Sequence, residues 1–424
     1  MPIEMDSLSA AAAWNDAEFS LGLGSGGNLP PDMDLRQRSN LIHLEQRLHR
    51  EWGLGQNCIL SWCVHESGVA LLVVPHYAVA EFTAMPAAGD PPQWRVSERF
   101  IMDLISGRRQ LTPAQMDKVS RLLRVEPRLV RLRDPLVGSA AETRIIDMMV
   151  KRYGISYVEN RAVALFDIVG FSLLSPFEQM TQLNSLSYSL NSAYAKMLEG
   201  KLGINFARSS TGDGFYIWNR DGDADANTNL YHFMHLVLAD NAIARRKAKT
   251  ASVPRLRAAF HVGSCYEFHQ AEGLNPTVHD YIVGEVTIEL ARMIDRAMPG
   301  QIFVGDFHAR GCADEDGGIA GLDLDAIRFV DQAQQELRRL KGLVLSGERI
   351  SAIKCYLTGE RLASGQYSIR KLEIADKHGL CRCVYNAKVN IYREKAEPIL
   401  LGIEDRVLRR DTHATPTAEL LARD

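Results

Sequence analysis

The chain has 424 residues, room for two or three domains, with 49 Lys and Arg against 52 Asp and Glu. A net charge of −3 and a hydrophobic share of 46% argue against a protein that coats nucleic acid and against an electrostatic membrane anchor. Seven cysteines, scattered and odd in number, fit a reducing compartment. No charged-then-apolar leader opens the chain. The most apolar run, Val69–Ala80, is broken by Pro75 and His76 and is too short to span a bilayer. A cytoplasmic location without membrane or nucleic-acid partners is therefore expected.

Residues 1–39 read as disordered, since Leu21–Pro31 is rich in Gly, Ser, Asn and Pro and has little to bury. Residues 40–136 read as a small α/β module. Leu41–Trp52 predicts a helix. Cys58–Val64 and Val69–Pro75 predict two strands joined by a His-Glu-Ser-Gly turn. Ser97–Ser106 and Pro113–Leu123 predict helices, the second opened by a Thr112 cap and a first-position proline. No cofactor motif falls in this module. A connector over 137–159 follows, with a helix at Ser139–Tyr153 that carries Ile145, Met148 and Met149 on one side. Such a helix either packs as a connector or pairs with its copy in a dimer.

Ala162–Ser172, AVALFDIVGFS, predicts a buried strand running into a carboxylate, Asp167, and a glycine turn at Gly170. A carboxylate at a strand tip beside exposed carbonyls suits a hard divalent cation; alone it equally suits a turn former or a helix cap. Phe177–Leu198 predicts a long helix whose Phe177, Met180, Leu183, Leu190, Tyr194 and Met197 recur at helical spacing as core. Leu202–Trp218 then predicts a β-hairpin with Gly212-Asp213-Gly214 at its tip. Two strand-tip aspartates, Asp167 and Asp213, are what a two-metal phosphoryl-transfer site requires.

Asp221–Asn229 is acidic but lacks the closing glutamate of a calcium loop. Leu230–Ala248 predicts a second long helix ending in Arg245, Arg246 and Lys247, which suit a helix C-terminus. Leu256–Gly263, LRAAFHVG, is a further strand. Gly284–Val304 reads as a glycine, a helix containing Arg292, a Pro-Gly turn and a strand. Beyond Leu357, Ser368–Ala375, Leu380–Tyr392 and Pro398–Gly402 predict an antiparallel unit within 358–408. Cys381 and Cys383 are expected as buried thiols on one face of its long strand. Arg409–Asp424 is expected as a frayed tail.

FDIVGFS, TGDGF, LRAAFHVG and Gly284-x7-Arg292-Met293 followed by PGQIFV, in that order, resemble the catalytic domain of class III nucleotide cyclases, the adenylate and guanylate cyclases. The resemblance covers roughly Asn160–Phe307, and a domain at 160–357. It implies an α+β fold: a ferredoxin-like βααββαβ palm, here with a small N-terminal module and a β-rich C-terminal extension like that of some bacterial cyclases. It implies a head-to-tail homodimer with shared active sites, and two divalent cations, Mg²⁺ or Mn²⁺, held by Asp167, Asp213 and the Ile168 carbonyl. The implied chemistry cyclises a nucleoside triphosphate to its 3′,5′-cyclic monophosphate, with Arg292 neutralising charge at the α-phosphate. Lys341-Gly342 resembles the family's triphosphate-binding Lys-Gly; on the residues alone, an exposed structural lysine is the other reading.

Two positions depart from the family pattern. Where it usually has asparagine, four residues after Gly284, stands Ile288, which cannot hydrogen-bond. At the base-reading positions stand Ser209 and Tyr281, matching neither purine set. Asp280 lies one residue off, facing the other way on a strand unless a bulge shifts it. A tyrosine and a serine suit a smaller pyrimidine ring, as in the bacterial relatives that make cyclic CMP or cyclic UMP in anti-phage defence. The readings are a pyrimidine cyclase, an adenylate cyclase, and an inactive cyclase-like module that senses nucleotide and dimerises.

Overall fold

The computed structural model describes residues 33–84, 95–202, 204–221, 225–271, 278–310, 323–345, 347–360, 362, 367–376, 379–408 and 414–421. The chain divides into two compact units, Met1–Val158 with Tyr266–Tyr281, and Glu159–Cys265 with Ile282–Asp424. The fold is α+β.

In the first unit, α1 (Leu35–Trp52) starts six residues before the expected Leu41 because Asp34 and Gln37 form a capping box. Most of the expected disordered stretch, 1–32, lies outside the described residues. Strands β1 (Asn57–His65), β2 (Gly68–Pro75) and β3 (Arg128–Arg131) form an antiparallel sheet in that order. Helices α2 (Glu98–Ile105), α3 (Pro113–Leu123) and α4 (Ala140–Arg152) complete the unit. A bulge between Ile59 and Ser61 shifts the alternation of β1 by one residue and sets the layering. Ile59 and Trp62 meet Leu41, Leu44 and Leu48 of α1 and Ile146, Met149 and Val150 of α4. Cys58, Leu60 and Cys63 meet Ile101 and Leu104 of α2 and Met116 and Leu123 of α3. The expected connector helix is thus a core element of this unit. Met148, expected on its apolar side, is exposed.

The second unit is built on a sheet. Its strands are β4 (Ile155–Ile168), β5 (Phe206–Ser210), β6 (Gly214–Asn219), β7 (Leu256–Ala271), β8 (Val278–Val283), β9 (Ile302–Gly305), the short pair β10 (His308–Arg310) and β11 (Asp323–Asp325), β12 (Val344–Leu345), β13 (Glu348–Leu357), β14 (Ser368–Ala375), β15 (Cys381–Arg393), β16 (Ile399–Leu401) and β17 (Ala414–Leu421), of which the start of β4, the end of β7 and β8 up to Tyr281 fall in the first unit. The main path runs β12–β13–β15–β9–β7–β4–β6–β5. Helix α5 (Pro176–Glu199) joins β4 to the β5–β6 hairpin, and α6 (Ala226–Lys247) joins β6 to β7. Helices α7 (Glu285–Arg296) and α8 (Ala326–Glu336) follow. Eight consecutive residues of β4, Arg161–Ile168, are buried, the signature of a central strand covered on both faces.

Several expectations need correction. In α5 the buried stripe is Leu186, Leu190, Ala193 and Met197, whereas Phe177 and Met180 are exposed, Phe177 at 74%. The apolar period is real, but the first turns of α5 run beyond the core. Helix α6 is buried on nearly every side, because α5, α8 and β16 all pack on it. The C-terminal strands are continuous with the main sheet: β15 pairs with β9, Val384 opposite Gly305 and Ala387 opposite Ile302. A buried chain from Gln301 Nε2 to Asn386 Oδ1 (3.0 Å) and from Asn386 Nδ2 to Thr358 Oγ1 (2.8 Å) locks that junction. Part of the expected tail, Ala414–Leu421, forms β17 on β14, so those backbone groups are paired rather than frayed. Cys381 is exposed and Cys383 half-buried, not buried, because the start of β15 reaches past the core. No helix among the described residues is long and apolar enough to cross a membrane.

Candidate active site

Asp167 is the penultimate residue of β4, directly beside the β5–β6 turn. Asp167 is in register with Gly214, and the Ile168 N–H donates to the Asp213 carbonyl at 3.0 Å. A methyl group on Gly214 would lie 1.9 Å from the Phe166 carbonyl oxygen. Only glycine lets the two backbones approach closely enough to set Asp213 next to Asp167. The Thr211 hydroxyl donates to Asp213 Oδ1 at 3.2 Å. Asp167, Ile168 and Asp213 are therefore brought together, as the motifs require.

Asp167 is 5% exposed. Burial pushes its carboxyl up to about 6, helped by the neighbouring Asp213 and opposed by Arg257. The Arg257 Nε lies 2.6 Å from Asp167 Oδ2, and its Nη1 donates to the Ala297 carbonyl just past α7 at 3.1 Å. Two crowded carboxylates with oxygen-only donors fit a hard divalent cation. No group of three or more His, Cys, Asp or Glu side chains suited to a metal occurs among the described residues. Any cation here would thus need backbone, substrate or water oxygens to complete its shell.

Helix α7 begins after Gly284, whose φ of 143° and close approach to Cys265 exclude a side chain. Tyr216 of β6 donates to the Thr287 carbonyl at 3.1 Å. Ile288 is 49% exposed. Arg292 is apart from the aspartate pair in its bonding: its Nε faces Asp376 Oδ2 at 3.3 Å. Ser209 is half-buried on β5, opposite Tyr216. Lys341 is exposed after the 3₁₀ turn Leu337–Leu340. Tyr281 belongs to the first unit, where its ring stacks on Phe268 at 5.3 Å. Its neighbour Asp280 is bound by His269 at 2.5 Å.

Sequence reasoning missed Arg257, Asp376 and Arg382. Arg257 carried a signal, a lone cation within the apolar strand LRAAFHVG. Asp376 and Arg382 carried none, because their partners on α7, Arg292 and Glu289, lie more than eighty residues away in sequence.

No protein-family model matches the chain, nor does any curated protein. Among solved structures it is similar to the adenylyl cyclase CyaB from P. aeruginosa, with a TM-score of 0.33 and 14% identity over 57% of this chain and 99% of that one. It is similar to the guanylate cyclase domain of RhGC from Catenaria anguillulae (0.32, 14%, 57% and 100%). The guanylyl cyclase Cya2 gives 0.32 and 10% identity over 55% and 92%.

Proposed function

We propose that the protein is a class III nucleotide cyclase that converts a nucleoside triphosphate to its 3′,5′-cyclic monophosphate and pyrophosphate. The carrying observation is the juxtaposition of Asp167 and Asp213 at adjoining strand ends, forced by Gly214. The β7–β4–β6–β5 order with α5 and α6 as crossovers supports a ferredoxin-like palm around that pair. In this reading the 3′-hydroxyl oxygen bonds to the α-phosphorus, the bond to the β-phosphate oxygen breaks, and the hydroxyl proton leaves to solvent.

Asp167, Asp213 and the Ile168 carbonyl would hold two divalent cations, Mg²⁺ or Mn²⁺. These supply acidification of the hydroxyl and neutralisation of the triphosphate. The chain's own task is positioning and charge complementarity. Arg292 neutralises charge at the α-phosphate, and Lys341 meets the triphosphate from its exposed position. Because one chain has one such palm, the working form is a homodimer with two composite sites.

The base is a pyrimidine, CTP or UTP. By the resemblance, the base-reading positions are Ser209 and Tyr281, whose hydroxyls match neither purine-reading pair. Asp280, the carboxylate beside Tyr281, is engaged by His269. A cyclic pyrimidine nucleotide would serve as a second messenger, by resemblance in anti-phage defence. A second reading, a non-catalytic nucleotide sensor, is favoured by one observation, the exposed apolar Ile288 where a ribose-orienting side chain is expected. The two separate on Asp167→Ala and Asp213→Ala. In a cyclase both lose turnover; in a sensor there is no turnover to lose and only nucleotide affinity changes.

A further inference from the structure

The C-terminal hairpin of the second unit reaches α7 through charge. Asp376 follows β14, and its turn is closed by Leu380, whose N–H donates to Asp376 Oδ1 at 3.0 Å and whose carbonyl accepts from the Asp376 N–H at 3.0 Å. The other carboxylate oxygen faces two guanidinium groups. Arg382 Nη1 lies 3.3 Å from it, and so does Arg292 Nε. Arg382 also pairs through Nε with Glu289, one helical turn before Arg292 on α7.

Four charges, Glu289, Arg382, Asp376 and Arg292, thus alternate in sign across one face of α7. The Asp376 and Arg382 side chains are 6% and 11% exposed, whereas Arg292 is 31% exposed. Asp376 engages the Nε edge of Arg292, and no hydrogen bond or ion pair among the described residues engages its Nη groups. An arginine held by its Nε edge keeps its terminal fork available for a phosphate and loses much of its rotamer freedom.

We infer that Asp376, steadied by Arg382, is a positioning residue that fixes the Arg292 guanidinium with its terminal nitrogens presented to the substrate phosphate. The inference rests on the cyclase reading for its consequence, though not for its geometry. It makes the β14–β15 hairpin part of the reaction machinery, where sequence alone marks it as an appended extension. The alternative use of the same contact, a clamp that holds Arg292 off, predicts the opposite sign.

The test uses the full chain with Asp376→Asn, Asp376→Glu and Arg382→Gln. Positioning predicts that Asp376→Asn lowers kcat about tenfold or more, as misplacement of a reacting group does, with KM for the triphosphate little changed. Asp376→Glu, which keeps the carboxylate, restores much of the loss. Should Asp376→Asn not fold, Arg382→Gln replaces it, with the same expected direction. A rise in kcat, or kcat equal to wild type in folded variants, overturns the inference. Phenylglyoxal labelling of Arg292, followed by peptide mass spectrometry, tests the contact itself independently of turnover, while the sign of the kcat change separates positioning from the clamp. Release of the Nε edge should speed labelling severalfold; an unchanged labelling rate overturns the inference. A wild-type protein that cyclises nothing, yet shows faster labelling in Asp376→Asn, would remove the cyclase reading and leave the contact standing.

Discussion

Arg257 Nε stands 2.6 Å from Asp167 Oδ2, and the same guanidinium donates to the carbonyl of Ala297 beyond α7. One side chain therefore ties the proposed metal carboxylate to the end of the helix that carries Arg292. It offsets part of the cost of burying Asp167, whose carboxyl would otherwise be pushed further up by burial and by Asp213.

Replacing Arg257 by Met should destabilise the protein by about 3 kcal/mol, the order expected when one partner of a buried pair is removed. The double variant Arg257→Met with Asp167→Asn should recover much of this, since no uncompensated charge remains. Urea denaturation of the four forms of the cycle measures both terms. A double variant as unstable as Arg257→Met alone would mean that the arginine acts through packing.

The raised Asp167 carboxyl fixes the sign of a pH dependence. Its folded value, about 6, lies above the unfolded 3.8, so folding favours the protonated form. The associated stability is present below about pH 4 and is lost as pH rises through 6. Without divalent cation, wild type should lose thermal stability relative to Asp167→Asn between pH 4 and 6.5. Mn²⁺, which competes with the proton, should bind more weakly as pH falls below 6. Calorimetric titration at pH 5 and pH 7 measures this, and equal affinities would contradict it.

Gly214→Ala should cost more than about 2 kcal/mol, as backbone clashes with no flexible neighbour do, because the new methyl group meets the Phe166 carbonyl oxygen at 1.9 Å. Chemical denaturation tests this. A variant of wild-type stability would show that the β4–β6 spacing relaxes freely and does not need glycine.

Composite sites predict complementation. Asp213→Ala and Arg292→Ala should each be inactive, the arginine loss costing on the order of 3 kcal/mol in the barrier. Co-expression of the two should restore activity, because a heterodimer holds one site with both defects and one intact. A mixture as inactive as its parents, with heterodimers verified by native mass spectrometry, would place Arg292 within its own chain's site.

Much of this fold was legible before any coordinates. Ser368–Ala375 and Pro113–Leu123 match their elements residue for residue, because alternation and a Thr-Pro helix start are local signals. The pairing of Asp167 with Asp213 was legible because each sits at the end of its own apolar run. The exposure of Phe177 and Met180 was not, since helical spacing reveals a stripe but not how far the core beneath it extends. Nor was β17, whose pairing with β14 depends on a partner about forty-six residues away. The Glu289–Arg382–Asp376–Arg292 network was invisible for the same reason: charges far apart in sequence carry no period.

The most direct measurement incubates the purified protein with ATP, GTP, CTP or UTP separately, with Mn²⁺, and identifies products by mass spectrometry, with Asp213→Ala as control. The account predicts a 3′,5′-cyclic pyrimidine nucleotide and pyrophosphate from CTP or UTP, both absent with Asp213→Ala. Cyclic AMP as the sole product would contradict the pyrimidine assignment, and no cyclic product from any triphosphate would contradict the cyclase itself.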